Sequence, residues 1–166
     1  MRDLGFKGVY IHTSGFGIPL TDRLNYRLYA RCVELGIPVS MQVGHSAEHM
    51  SNERGRPIHL DTVALDYPEL TLTGAHTGWP WTEEMILLVW THENVFLGID
   101  AHNPKCLEPS LIHFMKTRKQ NKVIDGTNDP AVLHRESISC IRNERDLSEK
   151  VAGKILHRNA ALACGL

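Results

Sequence analysis

Five short runs rich in β-branched residues recur along the chain, and their spacing constrains the fold more than any other feature. They read GVYIHTS (8–14), IPVSMQVGH (37–45), LTLTGAHTG (70–78), NVFLGIDAH (94–102) and KVIDGTNDP (122–130). Their starts lie roughly 30 residues apart, the length of one strand–helix–strand unit. Between the first two runs, TDRLNYRLYARCVELG (21–36) sets Leu24, Leu28, Cys32 and Leu35 on one helical face. Thr21 or Asp22 can cap its start, and Gly36 followed by Pro38 stops it. After the third run, Trp81-Thr82-Glu83-Glu84 offers a cap and two carboxylates at the head of the helix EEMILLVWTHE, as the helix dipole favours. The final stretch, LSEKVAGKILHRNAALACGL, is helical again and ends near Gly165.

Strands that alternate this regularly with helices imply an α/β fold in which helices cover a parallel sheet. An open doubly wound sheet and a β/α barrel both satisfy the pattern. No glycine-rich phosphate-binding turn follows any run, which removes the main support for a nucleotide site. The run ends instead carry histidine, glutamine, asparagine and aspartate, and a barrel builds its active site from polar side chains at the C-terminal ends of its strands.

Composition narrows the function classes. The chain has 166 residues, a formal net charge of -1 and ten histidines, which describes a single globular domain over 1–166. That charge gives no reason to expect nucleic acid or a membrane as partner, so a small-molecule substrate is expected. No apolar stretch is long enough to span a bilayer, and the start MRDLGFKG lacks a secretory pattern, so the expected location is cytoplasmic. Cys32, Cys106, Cys140 and Cys164 are irregularly spaced without a Cys-x-x-Cys pair, and are read as reduced, mostly buried thiols. The basic stretch KTRKQNK (116–122) reads as a solvated helix end.

Alternation along a strand sorts the candidate site residues, because positions i and i+2 share a face. In VSMQVG, Ser40, Gln42 and Gly44 share one face and Val39, Met41 and Val43 the other. Gln42 therefore looks inward in a barrel, and His45 lies past the strand end within reach of the same space. A plain hydrogen-bonding role for Gln42 and a loop role for His45 are the alternative readings. His12 shares a face with Tyr10 and Ser14 and is placed to line a pocket. His102 follows Asp100 at a strand end, and both it and His12 read more simply as polar residues solvated at a loop mouth. Trp79 and Trp81 follow His76, either as an apolar wall for substrate or as the dock for the next helix.

In combination, GFKGVYIHT, GIPVSMQVGH, YPELTLTGAHTGWPW, ENVFLGIDA, KVIDGTNDP and KILHRNAALACGL resemble the amidohydrolase-related barrel enzymes. These include amino-carboxymuconate-semialdehyde and resorcylate decarboxylases and single-metal lactone or amide hydrolases. The resemblance covers the whole chain but only the later part of that fold: the five runs are similar to the fourth to eighth of eight barrel strands. It implies a partial (β/α) TIM barrel, with Met1 falling inside a larger barrel. The family's His-x-His on the first strand has no counterpart in this sequence. Five parallel strands cannot close a barrel at ordinary tilt, so two sheet edges are expected to need cover, for which a homodimer or a partner chain is one remedy.

The resemblance also implies roles. His76 matches the sixth-strand histidine that contacts metal-bound water or substrate, as a metal ligand, a polarising group or a proton shuttle. Its alternative is a histidine that satisfies a backbone carbonyl. Gln42 stands where the fifth strand usually offers a ligating histidine. Asn128 stands at the aspartate of the family's Gly-Thr-Asp-x-Pro. Both are neutral amides, weaker than imidazole or carboxylate toward a divalent ion. Asp129 can substitute only through a bulge or a slip of one residue. The implied activity is hydrolysis or decarboxylation of a carbonyl or carboxylated small molecule, with zinc or manganese possible but weakened or absent in this chain. The alternative is a catalytically inactive partial barrel that self-associates or docks on a partner subunit.

Overall fold

The computed structural model describes residues 5–166, except the side chain of Ser14. It contains one five-stranded parallel sheet whose spatial order is the chain order: β1 (Val9–Ile11), β2 (Val39–Gln42), β3 (Leu72–Ala75), β4 (Val95–Gly98) and β5 (Val123–Ile124). The runs legible in the sequence are thus longer than the strands they contain, and their polar C-terminal residues lie in loops or, for Thr13 and Ser14, in a one-turn helix.

The helices are α1 (Thr13–Phe16), α2 (Arg23–Leu35), α3 (His59–Asp66), α4 (Thr82–Thr91), α5 (Pro109–Thr117), α6 (His134–Asn143), α7 (Glu149–Gly153) and α8 (Asn159–Cys164). A π-helical stretch, Lys154–Arg158, joins the last two into one rod. No helix of the described residues is long and apolar enough to cross a membrane.

Alternation along the strands decides which face the helices cover. Val39, Met41, Leu72, Val95, Leu97 and Val123 are fully buried on the helix-covered face, where they form the core with α2, α4 and α5. The opposite face carries Tyr10, Ser40, Thr73 and Ile124 around a cavity of ≈ 460 Å³. Nothing hydrogen-bonds β1 to β5, so the sheet is a curved segment of a barrel with its inner face open. Of the two architectures that satisfy the strand–helix pattern, this is the partial barrel.

Three local expectations are corrected. Helix α2 starts where expected, with the Asp22 side chain accepting from the Leu24 N–H, and stops at a left-handed Gly36. Its buried residues, however, are Asn25, Tyr29 and Cys32, while Leu24 points to solvent. Tyr29 wins because its ring packs between Tyr26 and Tyr67 and its hydroxyl donates to the Leu20 carbonyl at 2.8 Å. At α4, Thr82 does not cap: it is the first helical residue, and its buried hydroxyl has no partner. Glu84 serves the loop before α3 instead, taking the Arg56 guanidinium at 2.6 Å and the Ile58 N–H at 3.3 Å. Of the four free cysteines, only Cys32 and Cys140 are buried.

Candidate active site at the strand ends

The C-terminal ends of the strands surround a cleft of ≈ 500 Å³ lined by His12, Gln42, His45, His76, His102 and Asn128, with Tyr10 and Glu48 at its wall. The sheet register explains this gathering. Gln42 pairs with Ala75, which presents His76 one residue further on, and β4 is in register with β3, so Asp100 follows alongside.

His76 is held by an unusual backbone turn. His76 and Thr77 both adopt left-handed φ, 67° and 58°, where residues with a Cβ are uncommon. The turn is fixed across strands: the Thr77 N–H donates to the Gly98 carbonyl at 2.8 Å. The His76 N–H donates to Asp100 Oδ1 at 3.1 Å, and its ring Nε2 meets Asp100 Oδ2 at 3.2 Å. Both oxygens of one carboxylate therefore grip one histidine. Ala101 and Asn128 also have left-handed φ, 62° and 49°. Backbone held in sparsely populated regions gathers where a site is built.

Glycines let the carboxylate sit there. A Cβ on Gly98 would come 2.5 Å from Asp100 Oδ1, and one on Gly126 would come 2.8 Å from the Asp100 Cβ. Burial raises the Asp100 carboxyl, but the hydrogen bonds and charge of His76 outweigh it and hold the group below the usual carboxylate range. Burial first, and then the neighbouring His76, push the His102 imidazole down. Burial and the charges of Asp100 and Glu48 push the Tyr10 phenol up to about 12, so it remains a donor.

The remaining candidates fall into place around this pair. Gln42 is buried, and its Oε1 has no hydrogen-bond partner. His45 lines the cleft, with its ring edge-on to Trp79 at 5.7 Å. His12 faces Glu48, with 3.1 Å between Nε2 and the carboxylate. Trp79 and Trp81 do not line the cleft. Trp79 backs His45, and the Trp81 ring lies under the Arg56 guanidinium at 5.8 Å, closer to the docking alternative than to a substrate wall. Asp129 does not replace Asn128, since its carboxylate faces His134 at 4.0 Å and it is absent from the cleft wall. Asp100, to which no role was assigned from sequence, is the partner of His76.

Comparison with known proteins agrees with this geometry. The amidohydrolase family model Amidohydro_2 matches residues 1–163, and the chain belongs to that family. No curated protein is matched. An uncharacterized TIM-barrel protein from Bordetella bronchiseptica is 28% identical with a TM-score of 0.84, over 99% of this chain and 60% of that one. A 4-oxalomesaconate hydratase from Rhodopseudomonas palustris is 20% identical with a TM-score of 0.68, over 99% of this chain and 57% of that one. A probable 2-pyrone-4,6-dicarboxylic acid hydrolase from Acinetobacter baumannii, with citric acid bound, is 16% identical with a TM-score of 0.64, over 99% and 66%. The last two show the fold alone. The chain spans about 60% of the length of the first of these barrels.

The amidohydrolase family is generally metal-dependent. The described residues do not fit an ion as they stand. No three His, Cys, Asp or Glu side chains among them converge on one point. His76, expected as a ligand, has Nε2 engaged by Asp100. The donors beside it, Gln42 and Asn128, are neutral amides with little pull on a divalent cation.

Proposed function

We propose that the cleft is a catalytic site for hydrolysis or decarboxylation of a carbonyl or carboxylated small molecule, with His76 as the proton-transfer group. The observation that carries this reading is the double hold of Asp100 on His76, through the backbone N–H and through ring Nε2. A carboxylate on Nε2–H fixes the tautomer with the lone pair on Nδ1 and steadies the positive charge when that atom takes a proton. In hydrolysis His76 accepts the proton of the attacking water and returns it to the leaving group. In decarboxylation the protonated ring supplies the proton to the carbon that loses carbon dioxide. Gln42, Asn128, His45 and His12 orient the substrate. Membership of the amidohydrolase family supports a hydrolase-like reaction. No step is assigned to zinc or manganese, which these donors would hold weakly.

A second reading, an inactive partial barrel that self-associates or docks on a partner subunit, is favoured by the neutral amides at Gln42 and Asn128 and by the open inner face. Turnover of a panel of lactones, aryl esters and aromatic carboxylates, with and without added zinc or manganese, separates the two. The catalytic reading expects His76→Asn to lower kcat/KM by roughly a hundredfold or more without loss of fold. Absence of turnover throughout, from a well-folded protein whose dimer forms with concentration, supports the second.

A further inference from the structure

Gln42 carries information that the His76–Asp100 pair does not. Its residue is only 4% exposed, it lines the cleft, and its Oε1 is buried without a partner. The main chain that carries this side chain is fixed. Gln42 is registered on Ala75 in the sheet, and its carbonyl accepts from the Thr13 hydroxyl at 3.2 Å. A buried acceptor left unmade is costly, and native proteins leave few.

The charges around it restrict what can complete it. The two carboxylates near the cleft are already engaged, Asp100 by His76 and Glu48 by His12. No lysine or arginine of the described residues lines the cleft. A ligand carboxylate at Gln42 would bring a second acceptor to an acceptor, close to the Asp100 charge. A divalent ion would find a neutral amide with no carboxylate free to join it. A neutral hydroxyl or N–H meets neither objection.

We infer that Gln42 Oε1 accepts a hydrogen bond from a neutral hydroxyl or N–H of the substrate, so that the cleft selects small carbonyl compounds bearing such a donor over polycarboxylates. The inference rests on the cleft being the substrate site proposed above. It makes Gln42 a specificity-determining residue at a position where the resembled enzymes use an imidazole. A site built to pair a donor rejects the analogue that lacks one, because its own polar group is then stranded.

Isothermal titration with 4-hydroxyacetophenone and 4-methoxyacetophenone tests this. Neither can be hydrolysed, and they differ only by methylation of the single donor. The full chain should bind the hydroxyl probe roughly tenfold more tightly than the ether, equally in chelator and in added manganese. Gln42→Met should bring the two affinities together while keeping or raising Tm, since it removes a stranded buried acceptor. Gln42→Glu, which keeps an acceptor, should retain the preference. Equal affinities on the unmodified chain, no binding of the hydroxyl probe, a preference that survives in Gln42→Met, or binding that requires metal would each overturn the inference. The two proposals fail separately. His76-dependent turnover with equal probe affinities removes only the inference, and a Gln42-dependent preference without turnover removes only the catalytic reading.

Discussion

At the scale of single residues, the site depends on one ionised carboxylate held in a buried place. Asp100 is kept below the usual carboxylate range because His76 contacts outweigh burial. A depressed folded value means that its stabilisation is fully present above the unfolded carboxylate value, about 3.9, and disappears as pH falls through the lower folded value. Asp100→Asn should therefore cost about 1–3 kcal/mol near neutral pH. That difference from the unmodified protein should shrink as denaturation is repeated at progressively lower pH below 4. A difference that stays constant with pH would mean that the carboxylate's charge is not what matters. Gln42 and His12 were legible because strand alternation points them inward, and His76 through the family resemblance. Asp100 was not, since its partnership requires the left-handed turn at His76, and ordinary residues with a Cβ give no sequence signal for that turn.

At the scale of elements, the C-terminal rod does more than close the chain. Its π-helical stretch accompanies a cross-link in which the Ile155 carbonyl accepts the Asp125 N–H at 2.9 Å. The buried Asn159 amide donates to the Gln120 carbonyl at 2.9 Å and to the Val123 carbonyl at 2.7 Å. The short edge strand β5, and the loop that carries Asn128, are anchored by these bonds. Asn159→Ala should lower unfolding stability by about 1–3 kcal/mol. Hydrogen exchange should quicken first in residues 122–130; an increase spread evenly over the chain would refute the anchoring role. The rod's helical character and its stop at Gly165 could be read from sequence, but the π-turn could not. Helix α2 shows the converse: its apolar spacing predicts a leucine face, whereas three tyrosines from α2 and the end of α3 pack together and set the buried side.

At the scale of the whole molecule, the cleft exists because five strands stop at one level and each contributes a different side chain. His76 comes from the end of β3 and Asp100 from the end of β4, so neither strand–helix unit holds the pair alone. The spatial order of the strands followed from the family resemblance, whereas the repeated unit and its parallel direction were present in the runs and their spacing. Which loop residues meet was not, because such contacts are set by register between strands some 24 residues apart in sequence. The open inner face leaves Tyr10, Ser40, Thr73 and Ile124 around a cavity that the remaining strands of a complete barrel would fill. On the reading proposed above, β3 and β4 present one functional pair, His76 and Asp100. The most direct test is a double-mutant cycle of His76→Asn and Asp100→Asn on kcat/KM for whichever compound the chain turns over. Residues acting as a unit are non-additive. The double variant should be no slower than His76→Asn alone. Losses that multiply, each variant contributing its full factor independently, would contradict the account.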